Sequence, residues 1–211
     1  MIDLSNSSPF SEGGNRKCFL HPDHKDKCIK IIKEDVFKEK IKSLPWYKKF
    51  RRHSTFNDNF REEKGYQQPA LQNKSPEVWK HLAKWYGFEE TNLGLGAVTE
   101  LILDNGQIAK TLESYLLEHG ITPELKVAIK NFHTWLREYL VLTKNILPHN
   151  IVLKQDKGEL VLVIIDGLGS KALLPFPNYS KYFAKRYIER RIQLMSSRID
   201  WDLGGREGSW K

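Results

Sequence analysis

The longest uninterrupted apolar run in this chain is six residues, Leu160 to Ile165. A helix needs about 20 apolar residues to cross a bilayer, so no membrane span is expected. The core must instead be gathered from short, separated segments. A six-residue apolar run bounded by turns reads as a buried strand. Its partner is Ile151–Lys154, and Gln155-Asp156-Lys157-Gly158 reads as the hairpin turn. The chain does not lack material to bury: 40% of its 211 residues are hydrophobic and 11% are aromatic. That composition excludes a disordered chain or a fibrous repeat. The first nine residues, Met1 to Pro9, contain neither a basic region nor an apolar stretch like those of a secretory leader. Cys18 and Cys28 are too few for a disulfide framework, so a reducing, cytoplasmic location is expected.

The formal charge of +8 is unevenly distributed. Residues 25–64 hold thirteen Lys/Arg against seven Asp/Glu, whereas residues 89–124 hold one against seven. A basic front and an acidic middle do not suit a uniform polyanion binder, and these charges read mainly as solvated helix faces. A stripe of Lys181, Lys185, Arg186, Arg190 and Arg191 lies on one amphipathic segment, but no nucleic-acid recognition motif accompanies it. Nucleic acid is not an expected partner.

The first thirty residues read as an antiparallel meander. Its strands are Arg16–His21 and Lys27–Ile32, with turns at Pro9–Asn15 and Pro22–Asp26. Residues 33–58 read as a basic connecting stretch. A helix is expected from Phe60 to Tyr66, with Asn59 as its N-cap. Two more strands follow, Trp85–Phe88 and Ala97–Leu103, and Asp104-Asn105-Gly106 stops the second. The next helix places Ile108, Leu112, Tyr115 and Leu116 on one face and ends at Gly120. Another starts with Thr122 as N-cap and Pro123 at its first position, with an apolar stripe from Leu125 to Leu140. The tail, Tyr179–Ile199, reads as a basic amphipathic helix. Asn105-Gly106 is the expected boundary between a β-rich part, residues 1–104, and a helical part, residues 105–211.

Three groups in this order have chemical potential. Gly13-Gly14 form a turn through which backbone could approach phosphates, and Lys30 on a nearby strand could reach those phosphates as a point charge. An acid on the following helix, Glu62 or Glu63, could hold that lysine. Asn150 precedes one strand of the later hairpin and Asp166 follows its partner, so two hard oxygen ligands for Mg²⁺ could stand side by side. The weaker candidates are His21-Pro22-Asp23-His24, which lacks a third metal ligand nearby, and the two cysteines, which read as small buried hydrophobes.

The succession of Gly turn, strand lysine, helix acid, long helix, Asn loop, hairpin and Asp-Gly resembles the core of a protein kinase. More specifically, the chain resembles the YrbL family of PhoP-regulatory-network proteins. Several segments carry that resemblance: Arg16-Lys17-Cys18-Phe19, Cys28-Ile29-Lys30-Ile31, Arg61-Glu62, Gly94 to Ile102, Pro148-His149-Asn150-Ile151 and Asp166-Gly167-Leu168-Gly169. The implied fold is α+β and two-lobed, with a small antiparallel sheet in the N-lobe, a mainly helical C-lobe, and truncation after the Asp-Gly aspartate. The implied cofactors are ATP and Mg²⁺, bound in an interlobe cleft. By this resemblance Lys30 meets the phosphates and Glu62, or alternatively Glu63, holds that lysine; Gly13 and Gly14 cover the phosphates, Glu100, Leu101 and Ile102 meet adenine, and Asn150 and Asp166 hold the metal.

Two departures change what the resemblance implies. The phosphate loop, Ser11 to Arg16, is poorer in glycine than a kinase loop and contains Glu12. Asn145 stands where a kinase has its catalytic-loop aspartate, and an amide cannot accept the substrate proton. The expectation is nucleotide binding with weak or absent phosphotransfer to an unknown acceptor. The alternative is a non-catalytic, pseudokinase-like module that binds an unidentified protein partner.

Overall fold

The computed structural model describes residues 1–48, 50, 52–72, 75–170 and 176–210. Lys49 and Arg51 of the basic connecting stretch lie outside the described residues. The chain divides into two compact units, residues 1–64 with 84–101, and residues 65–83 with 102–211.

The first unit is built on a five-stranded antiparallel sheet. Its strands are β1 (Ser11–Glu12), β2 (Arg16–Leu20), β3 (Lys27–Ile32), β4 (Trp85–Thr91) and β5 (Gly94–Glu100), in the order β1-β2-β3-β5-β4. Alternation decides what each face carries. In the β2–β3 ladder Phe19 is opposite Ile29 and Cys18 is opposite Lys30, and Ile29 is opposite Val98 on β5. Phe19, Ile29, Ile31 and Val98 therefore share one face, where they form a core with Leu4 and Ile2. Arg16, Cys18 and Lys30 share the other. Gly96 sits where any side chain would collide with the Ile29 methyl, so the register itself demands glycine there.

Two helices belong wholly or largely to this unit. The basic stretch contains α1 (Glu34–Lys42), which the sequence reading leaves unassigned; its apolar residues Val36, Phe37 and Ile41 are half-buried on one face, and none is fully buried. The next helix, α2 (Asp58–Tyr66), starts earlier than expected. Its cap is Asn57, whose Oδ1 accepts from the backbone N–H of Asn59 at 2.9 Å and of Phe60 at 3.4 Å. Asn59 lies inside the helix and is buried.

In the second unit a short ribbon, β6 (Leu103–Asp104) with β7 (Gln107–Ile108), precedes α3 (Leu112–His119) and α4 (Pro123–Tyr139). Ile108 thus belongs to a strand, and α3 starts at its cap Thr111, which accepts from Ser114 N–H at 3.1 Å. Thr122 caps α4 in the same way, accepting from Leu125 N–H at 3.2 Å. The stripe Leu125, Ala128, Phe132, Trp135 and Leu136 is buried as its spacing requires, and Leu140 ends the helix in a left-handed conformation at φ 55°. The hairpin of β8 (Ile151–Asp156) and β9 (Glu159–Ile164) follows, then α5 (Phe176–Tyr179) and α6 (Lys181–Leu203). Ala184, Ile188, Ile192, Met195 and Ile199 of α6 are buried, and this helix packs on α3 and α4. A second core cluster joins Ala83, Ile102 and Ala109 to Val152, Val161 and Val163 of the hairpin. Among the described residues no helix is long and apolar enough to cross a membrane.

Candidate functional site

In the first unit, Lys30 lies on the face of the sheet opposite the apolar core, and the described geometry closes around it. Its Nζ donates to Glu62 Oε1 at 2.7 Å, with Lys30 5% and Glu62 2% exposed. Of the two acids the sequence left open, Glu62 is the partner and Glu63 is not. The other carboxylate oxygen of Glu62 accepts from Arg16 Nη1. Arg16 also donates to Asn59 Oδ1 at 3.3 Å, and Asn59 Nδ2 donates to the Lys30 carbonyl at 2.9 Å. A carboxylate buried to this depth needs compensation by charge and hydrogen bonds, and two cations supply it here.

Sequence reasoning missed Arg16 and Asn59. Arg16 carries a detectable signal, since period-two alternation on β2 puts it on the side of Lys30. Asn59 carried a misleading one, because its residue type suggests a cap. Gly13 and Gly14 lie in the β1–β2 turn, where the Gly13 N–H donates to the Arg16 carbonyl at 2.9 Å. Neither has the positive φ that would require glycine. Glu12, the acid of this loop, pairs with Lys33 at 2.6 Å, and that contact lowers its carboxyl pKa.

In the second unit the hairpin register places the other three residues. Ile151 is opposite Ile164, so the next pair outward is Asn150 with Ile165, and the Ile165 N–H donates to the Asn150 carbonyl at 3.0 Å. Asp166 follows at once, and its Oδ1 accepts from the Gly167 N–H at 2.5 Å. The chain before the hairpin runs alongside this loop. Lys144 N–H donates to the Gly167 carbonyl at 2.6 Å, Gly169 N–H donates to the Leu142 carbonyl at 2.9 Å, and Thr143 bridges Leu168. Gly167 has φ +88°, and a Cβ there would stand 3.2 Å from the Asn145 carbonyl oxygen and 3.6 Å from Asn150 Nδ2. Asn145, Asn150 and Asp166-Gly167 are thus gathered at the open end of one hairpin. Oxygens of an amide and a carboxylate are suitable donors for Mg²⁺, which completes its shell with water and phosphate oxygens.

At the segment expected to meet adenine, several backbone groups already have partners. The Glu100 N–H donates to the Lys84 carbonyl at 2.9 Å, Leu101 N–H donates to the Asp26 carbonyl at 2.8 Å, and the Ile102 carbonyl accepts from Ala109 N–H at 3.0 Å. No group of three or more His, Cys, Asp or Glu suited to a metal occurs among the described residues. The His21 ring lies 4.7 Å from that of His24 between centroids, tilted by 54°, and faces Glu89. Cys18 and Cys28 form no disulfide, and Cys28 is buried beside Thr99.

The model of the family described as PhoP regulatory network protein YrbL matches residues 2–200. The chain belongs to this family. The YrbL protein of Escherichia coli (strain K12) is 27% identical over 196 residues, which cover 90% of this chain and 84% of that relative. Among solved structures, a double mutant of the PknI kinase domain of Mycobacterium tuberculosis matches at a TM-score of 0.51 and 12% identity, covering 95% of this chain and 77% of that one. The YrbL-family chain therefore has a protein-kinase-like fold. A structure of Rad53 1-466 in complex with AMP-PNP matches at a TM-score of 0.48 and 14% identity. The match covers 94% of this chain but 47% of that one, so the chain spans about half its length.

Proposed function

We propose that this YrbL-family protein binds ATP with Mg²⁺ and turns it over slowly or not at all. The observation that carries the reading is the buried Lys30–Glu62 pair at 2.7 Å within a kinase-like fold. A lysine on this strand, held by a helix acid, presents a fixed positive charge to α- and β-phosphates. In this reading Asn150 and Asp166 supply the protein oxygens for the metal. Bound Mg²⁺ would neutralise charge on the phosphate oxygens. Gly13 and Gly14 offer a turn with little side-chain bulk over the phosphates. The adenine end is assigned to Glu100, Leu101 and Ile102, with recognition limited by the bonds that Leu101 and Ile102 already make.

Asn145 sets the expected rate. Its amide can orient a hydroxyl by hydrogen bonding but cannot take the proton, and general-base help contributes about 10²–10⁴-fold. That residue favours the second reading, a nucleotide-responsive module that acts by engaging a protein partner. The first test is a calorimetric titration of the full chain with ATP, with and without Mg²⁺. Lys30→Met is expected to weaken binding by about tenfold or more, from loss of a charge-assisted contact. Asp166→Ala is expected to abolish the Mg²⁺-dependent part of the affinity. If the wild-type chain shows no heat with ATP at millimolar concentration, the nucleotide reading is wrong.

A further inference from the structure

Glu62 has a different cation on each carboxylate oxygen, Lys30 on Oε1 and Arg16 on Oε2. Consider what happens when Lys30 turns part of its hydrogen bonding toward an anionic ligand. A buried carboxylate that loses its counter-charge is strongly destabilised. Arg16 prevents that loss, because it continues to neutralise Glu62 while Lys30 bonds a phosphate. The arginine also ties the helix to the sheet. It reaches Asn59, one turn before Glu62 on α2, and Asn59 in turn holds the Lys30 carbonyl at 2.9 Å. Arg16 on β2, Asn59 and Glu62 on α2, and Lys30 on β3 form a closed ring of polar contacts. All four residues are buried.

We propose that Arg16 is a positioning residue for Lys30: it latches α2 to the sheet and keeps Glu62 counter-charged, so the lysine meets a polyphosphate in a preassembled cradle. The inference rests on the ATP reading above and adds that no helix movement is needed to assemble the pair. Arg16 acts through Glu62 in this account, which makes the two residues energetically coupled.

The experiment is a double-mutant cycle read by Mg·ATP titration of the full chain, with a thermal melt of each variant as a control for folding. Arg16→Met should weaken Mg·ATP binding by about tenfold, and Arg16→Lys should restore most of it. In the Glu62→Gln background, Arg16→Met should add less than about twofold. Two results would overturn the proposal. One is an Arg16→Met chain that melts earlier but binds Mg·ATP as the wild type does, which would make the arginine merely structural. The other is an equal loss in the Glu62→Gln background, which would mean that Arg16 acts on the ligand directly. Amide hydrogen exchange over residues 58–66 reads the latch with no ligand present, so it separates a failure of this inference from a failure of the ATP reading. Arg16→Met should speed that exchange and Arg16→Lys should restore its protection; unchanged exchange in Arg16→Met overturns the latch even if no variant binds ATP.

Discussion

Gly65 lies near the end of α2, where an alanine would ordinarily stabilise a helix by about 1 kcal/mol. Here the sign should reverse. A Cβ on Gly65 would stand 2.7 Å from Leu168 Cβ, 2.8 Å from its carbonyl carbon and 2.9 Å from its carbonyl oxygen. Relief needs an opening of about 0.7 Å, from 2.7 Å to the 3.4 Å at which ordinary contact begins. A rotamer change cannot supply it, because two of the three atoms are backbone. Nor is the loop free to retreat: Leu168 is 1% exposed, and its neighbours are bonded to Leu142 and Lys144. Overpacking of this kind costs about 1–3 kcal/mol, which exceeds the propensity gain. Because the clash is with atoms that cannot rotate away, the cost falls in the upper part of that range, about 2–3 kcal/mol. Gly65→Ala should therefore lose about 1–2 kcal/mol net, a fall in melting midpoint of about 2–8 °C for a chain of this size. Differential scanning calorimetry on the wild type and the variant measures it. An unchanged or higher midpoint would refute the contact argument. The same displacement would disturb Asp166, two residues before Leu168, so the Mg²⁺-dependent part of ATP affinity should fall with it.

The pKa values of His81 and His133 are both lowered to about 4, in each case mainly by burial. The unfolded chain binds their protons first, so stability should fall as pH drops from about 6.5 to 4, by at most about 3 kcal/mol per histidine. Urea unfolding across that window should show a shallower slope for His133→Gln, and an identical slope would contradict the assignment. Asn145→Asp should leave Mg·ATP affinity within about threefold and raise phosphate release by up to about 10²-fold; release at ordinary kinase rates from the wild type would show that another group serves as base. Thr122→Ala removes the cap of α4 and should cost about 1 kcal/mol, read as a midpoint lower by about 2–4 °C. No change would mean that water caps the helix equally well.

Much of the fold was legible because it is written in local patterns. The α4 stripe and its Thr122-Pro123 start, the β8–β9 hairpin and the β2–β3 ladder all follow from period and turn chemistry. Gln155 and Asp156, however, read as part of the hairpin turn, pair in the ladder and leave Lys157-Gly158 as the turn. The misses have physical causes. The helix α1 has only a short, half-buried apolar face, Val36, Phe37 and Ile41, set among charged residues, and the basic composition of the stretch obscured it. Asn57 and Asn59 are equally good caps by residue type, and only the packing of Asn59 against β3 separates them. Ile108 fits a helical face in projection but pairs with Leu103 across a tight turn.

The sequence by itself determined the order of the candidate groups: a strand lysine, a helix acid, a loop with Asn145 and Asn150, and an Asp-Gly turn. Their order is a property of the chain, so it can be read without coordinates. Tertiary structure alone decided which of those groups meet. It selected Glu62 over Glu63, because successive residues on a helix point about 100° apart and one of them faces the sheet. It brought Arg16 to the second oxygen of that carboxylate from 46 residues away. It also brought Leu168 so close to Gly65 that no other residue fits. Pairings of this kind depend on distances within a unit between elements far apart in sequence, such as β2 and α2, and no local periodicity encodes such distances.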